Sequence, residues 1–128
     1  MISNKRKMNI IQNYINSYNE FDIDGMIKDL DPEIVFMNIS NGKTDFITNG
    51  IIEFKNQAEK ATSIFSEREQ KISESKTNGN IVEIGIHYFA ILNIDLPNGL
   101  KKGENLSLKG KSVFKFNDEK IVEIRDIS

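Results

Sequence analysis

After Asn49-Gly50 the apolar residues Ile51, Phe54, Ala58, Ala61 and Phe65 follow one another at spacings of 3, 4, 3 and 4. That spacing lays one apolar stripe along a helix from about Ile51 to Phe65. Beyond it the chain reads as strand after strand. Any fold must therefore set helices from the first half against a sheet drawn mostly from the second, the arrangement of an α+β domain.

The first half supplies two more helices. From a cap at Ser3 or Asn4, Met8, Ile11, Tyr14, Ile15 and Tyr18 recur on one helical stripe. Asp22 caps a short second helix in which Ile23, Ile27 and Leu30 share a face, and Asp31-Pro32 stops it, because the residue before proline is pushed out of the helical region. Ile34 to Ile39 and Thr44 to Thr48 read as strands around a Ser40-Asn41-Gly42 turn.

A polar strand near Gln70 to Thr77, which suits a sheet edge, is joined by an Asn78-Gly79 turn to the long run Ile81 to Leu96. Leu106 to Asn117 and Ile121 to Ile127 complete the sheet around Asp118-Glu119. The expected order is α-α-β-β-α-β-β-β-β in a single domain over residues 1–128, with no repeat or long linker. On one strand Val82, Ile84, Ile86, Tyr88 and Ala90 share a face. On the next, Leu106, Leu108, Gly110, Ser112, Phe114 and Phe116 do, with Lys109, Lys111 and Lys115 opposite. His87, Phe89 and Ile91 make the outer face of the first strand turn apolar midway, a candidate subunit contact.

Composition narrows the chemistry. With 128 residues at 38% hydrophobic, the chain can bury a core without covalent staples. No cysteine is present, which removes disulfides, zinc-thiolate sites and thiol nucleophiles and fits a cytoplasmic protein; with His87 the one histidine, no metal or cofactor is expected. A net charge of -2 gives no electrostatic reason to bind nucleic acid. No apolar run reaches the roughly 20 residues of a membrane span, so no membrane contact is expected.

The element order, together with Ile10-Ile11-Gln12-Asn13-Tyr14, Phe21-Asp22-Ile23-Asp24-Gly25, Gly50 opening the long helix and the closing hairpin Phe114 to Ile121, resembles the nuclear transport factor 2-like superfamily. Within it the chain is most similar to the SnoaL-like and ketosteroid isomerase-like small proteins. The resemblance implies a strongly bent, mostly antiparallel sheet wrapped around three helices into a cone, the cystatin-like roll. It also implies a ligand-sized cavity at the open end, and usually a homodimer.

The steroid isomerases of that superfamily use a helix-one tyrosine as hydrogen-bond donor, a first-strand aspartate as base and a second aspartate held neutral. By resemblance these fall on Tyr14, Asn38 and Ser112. Ser112 still donates, but an amide has no protonation equilibrium near neutral pH, so Asn38 is no general base and the usual isomerase mechanism is not expected. Asp126 is the remaining acid. On the last strand it shares parity with Val122 and Ile124, and it is either a cavity carboxyl raised by desolvation or a solvated or ion-paired terminal residue. Tyr14 reads equally as a pocket group or as core filling, and Tyr18 as packing.

Three function classes follow. The first is a site for a small, largely apolar molecule lined by Tyr14, Phe36, Asn38, Ile84, Ile86, Ser112, Phe114 and Asp126. The second is an isomerase, cyclase or dehydratase with Asp126 as acid or base and Tyr14 and Asn38 orienting a carbonyl. The third is a dimeric interaction module using the surface around His87, Phe89 and Ile91.

Overall fold

The computed structural model of the protein describes residues 2–128. Among them it contains α1 (Asn4–Asn19), α2 (Ile23–Ile27), β1 (Leu30–Ser40), β2 (Lys43–Asn49), α3 (Ile51–Thr62), β3 (Phe65–Asn78), β4 (Ile81–Leu92), β5 (Asn105–Asn117) and β6 (Lys120–Ile127). The strands form one open mixed sheet in the order β2-β1-β6-β5-β4-β3, with the helices packed on it. The α+β arrangement expected from the element order is the observed architecture, and it is consistent with the cone that the resemblance implies. Its one parallel pair is β1 with β6.

Local chemistry sets the boundaries. Ser3 caps α1 by accepting from the Arg6 amide at 3.1 Å, and Asp22 caps α2 by accepting from the Gly25 amide at 3.0 Å. Gly50, at φ 86, turns the chain from β2 into α3 in a conformation that favours glycine. Ile10, Ile11 and Ile15 of α1, Phe54 of α3 and the inward residues Ile34, Val82, Ile84, Phe114, Phe116, Ile121 and Ile124 of the sheet form one core.

Several expected boundaries shift. Leu30 does not extend α2, which ends at Ile27; it opens β1, pairing with Ile121, because Asp31-Pro32 imposes extended backbone earlier than the apolar spacing suggests. The third helix stops at Thr62 rather than Phe65. The Thr62 and Ser63 hydroxyls donate to the carbonyls of Glu59 and Lys60 at 2.6 and 2.8 Å, and Phe65 starts β3 with its ring 6.1 Å from Tyr88. The run expected to reach Leu96 ends as a strand at Leu92, where the Asn93 amide donates to Ile64 O at 2.7 Å. The polar strand does lie at the sheet edge, but it starts at Phe65 rather than Gln70.

Register irregularities at Asn38/Ile39 in β1, Ile72/Glu74 in β3 and Lys115/Phe116 in β5 are sites where a strand gains local twist and bend. No helix among the described residues is long and apolar enough to cross a membrane.

Candidate functional site

Strand pairing assembles a polar row that no stretch of sequence contains. Asn38 of β1 stands beside Asp126 of β6, and Asp126 stands beside Ser112 of β5. All three line a cleft of about 290 Å³ on the concave side of the sheet, together with Ile86. In the adjacent row Phe36, Ile124 and Phe114 are buried. The polar row is therefore the first one beyond the packed core.

At its centre the Ser112 hydroxyl donates to Asp126 Oδ1 at 2.7 Å. Burial raises the Asp126 carboxyl to about 6; the Ser112 hydrogen bond, which favours the carboxylate, acts the other way and is the weaker influence. Asp126 is neither fully solvated nor ion-paired among the described residues; it is half-buried against a buried hydroxyl. Asn38 reaches Asp45 at 3.4 Å across the hairpin, a long contact that leaves its amide weakly held.

The other expected lining residues lie elsewhere. Tyr14, Phe36, Ile84 and Phe114 belong to the core and not to the cleft lining. The Tyr14 ring meets Phe114 edge-on at 5.7 Å and Phe54 at 6.5 Å, and Phe36 packs on Phe54 at 5.6 Å, so Phe54 of α3 fills the space that would have carried the hollow to Tyr14. Among the described residues the Tyr14 hydroxyl has no hydrogen-bond partner. Burial first, then the nearby Asp126 carboxylate, pushes this phenol up.

One helical turn further along α1, Tyr18, expected as packing, borders the open space instead. It lines the cleft, and its hydroxyl donates to that of Tyr88 at 3.1 Å. Burial raises both phenols, so both stay protonated donors. Behind them lies Arg68, 5% exposed, its Cζ 3.7 Å from the Tyr18 ring centroid and 4.4 Å from that of Phe21, its Nε donating to Tyr18 O at 2.8 Å. Arg68 Nη2 and the Gln70 Oε1 beside the cleft are buried without partners. Tyr88 carried a sequence signal, since it shares parity with Ile84 and Ile86. Arg68 and Gln70 carried none, because Arg68 fell outside every expected element and Gln70 opened a polar strand that suits a sheet edge.

On the convex side His87 and Phe89 stack at 4.3 Å, and His87 Nε2 lies 3.3 Å from Ser107 Oγ. Phe89 and Ile91 also border an open groove of about 690 Å³ at the β3 edge of the sheet, whose lining includes Phe21, Glu67, Arg68 and Glu69; Arg68 lines this groove and not the cleft. Among the described residues no group of His, Cys, Asp or Glu side chains could hold a metal ion.

No protein-family model matches the chain, and no curated protein does. Solved structures do. A candidate SnoaL-like polyketide cyclase from Jannaschia sp. CCS1 aligns at a TM-score of 0.81 and 12% identity, covering 98% of this chain and 88% of its own. An NTF2-like protein of unknown function from Burkholderia pseudomallei K96243 aligns at 0.76 and 16%, covering 98% and 90%. A protein with a ketosteroid isomerase-like fold from Catenulispora acidiphila DSM 44928, in complex with trimethylamine, aligns at 0.74 and 11%, covering 91% and 82%. The chain has the NTF2-like fold, the one its element order resembles.

Proposed function

We propose that the concave cleft binds a small molecule of mixed polarity. The observation that carries this reading is the pairing of Asp126 with Ser112 on the lining of a cleft whose other walls include the apolar side chains of Phe65, Ile86, Leu106 and Leu108. Apolar walls with a few convergent polar groups orient a ligand while burying most of it. The buried, unpartnered Gln70 Oε1 adds an acceptor that a ligand donor would satisfy. The test is amide chemical-shift mapping with 2-naphthamide, a flat apolar body bearing one donor-acceptor group. Shifts clustered at Tyr88, Ser112 and Asp126 are expected. Shifts confined to Phe89 and Ile91, or none at millimolar probe, overturn the reading.

A second reading, acid-base catalysis, is favoured by the Asp126 carboxyl raised to about 6, where it exchanges protons near neutrality. Asp126 would take a proton from carbon next to a carbonyl, and Ser112, as donor, would keep the carboxylate oriented. Wild-type protein should then speed deuterium incorporation into the methyl group of 2-acetylnaphthalene in D2O, and Asp126→Asn should not. Equal rates for the two refute it.

The convex face is proposed as the contact between two copies of the chain. The support is Phe89, 37% exposed beside His87 and Ile91 on that face.

A further inference from the structure

Arg68 is a buried cation with no carboxylate within ion-pair distance among the described residues, although Glu67 and Glu69 flank it along β3. Among the described residues it makes no ion pair, and one arm of its guanidinium has no acceptor. A buried charge is ordinarily paired, so its isolation calls for an anion from outside the chain. The guanidinium carbon lies over the Tyr18 ring, 3.7 Å from its centroid, and the Tyr18 hydroxyl donates to Tyr88. Tyr18 spends its proton on this bond. The Tyr88 proton is left uncommitted among the described residues, on a side chain that lines the cleft.

The register separates this group from Asp126. Ile84 of β4 pairs with Ser112, and Tyr88 lies four residues along the same strand, about 13 Å at the strand rise. The cleft thus has an acid at one pole, and at the other a phenol donor backed by a cation.

We propose that the pole formed by Tyr88, Tyr18 and Arg68 receives an anionic oxygen, so that the cleft's ligand is a largely apolar molecule carrying a carboxylate. The proposal rests on the cleft being a small-molecule site and names the class of molecule it takes. Tyr88 touches the carboxylate as donor. Arg68 is a positioning residue: its charge acts through the Tyr18 ring, and it holds that ring by donating to the Tyr18 carbonyl. Asp126 disfavours the same charge at the opposite pole and so orients the molecule with its apolar end toward β6.

The test is calorimetric titration at neutral pH with 2-naphthoate and its neutral isostere 2-naphthamide. Wild-type protein should bind the acid about tenfold more tightly than the amide, as expected for one unit charge acting across an intervening ring in a partly desolvated site. Arg68→Met keeps the length of the stem and removes the charge. It should bring the two affinities together, whereas a purely structural role would weaken both probes equally; Arg68→Lys should restore part of the preference. Equal wild-type affinities overturn the proposal even if Arg68→Met does not fold. So does a preference that survives in folded Arg68→Met. Amide binding mapped to the cleft without preference for the acid leaves the site standing and removes the proposal alone, whereas binding of neither probe removes both.

Discussion

Ser112 and Asp126 face each other across β5 and β6, hydroxyl to carboxylate at 2.7 Å, and this contact holds the one raised carboxyl among the described residues in the cleft. A carboxyl raised by burial is more easily protonated in the folded than in the unfolded chain. Its contribution to stability is complete below the unfolded value of 3.8 and is lost as pH rises through about 6. Urea denaturation from pH 4 to 7 should therefore show the wild type losing about 1–3 kcal/mol relative to Asp126→Asn, the lower end reflecting partial solvent access to the carboxyl. Parallel curves for the two proteins would remove Asp126 from the cleft's electrostatics.

Ser112→Ala removes the influence that lowers the Asp126 carboxyl and leaves desolvation unopposed. A carbon-detected titration of Asp126 should move above about 6 in this variant. A downward move would mean that the hydroxyl stabilises the neutral acid instead.

Gly110 lies on the cleft lining where β5 passes the end of β6, and a Cβ there would come within 2.7 Å of the Ile127 carbonyl oxygen. Backbone cannot yield as a side chain does, so Gly110→Ala should cost about 1–3 kcal/mol in denaturant unfolding and displace the C-terminal residues. Unchanged stability would show that β5 and β6 separate freely at this end.

If the convex face joins two copies, Phe89→Asp places a carboxylate in the contact, and sedimentation should show a monomer in place of a dimer. An unchanged mass assigns the face to solvent.

The element order was legible because a helical stripe and a strand alternation are local patterns. So was the alternation within β4, β5 and β6, which grouped Ile86 with Ile84, Ser112 with Phe114 and Asp126 with Ile124, while Asp126 stayed open between a cavity carboxyl and a solvated or ion-paired residue. Asn38 joined them through its match to the steroid isomerases, and the register of β1 with β6 places it there. The depth of the cleft was not legible. Tyr14 and Tyr18 occupy equivalent places on one stripe, and only the packing of Phe54 over Tyr14 decides which phenol meets the open space.

The sequence by itself determined which residues share a face, because side-chain direction along a helix or strand follows from backbone period alone. Tertiary structure decided how far each face is covered. Arg68 falls between the helix and the polar strand expected from the sequence, yet it lies in β3 and is buried because Tyr18 and Phe21, brought over β3 by the end of α1 and the turn that follows, close on its guanidinium. Burial is a property of what packs on top, and that partner comes from a distant part of the chain.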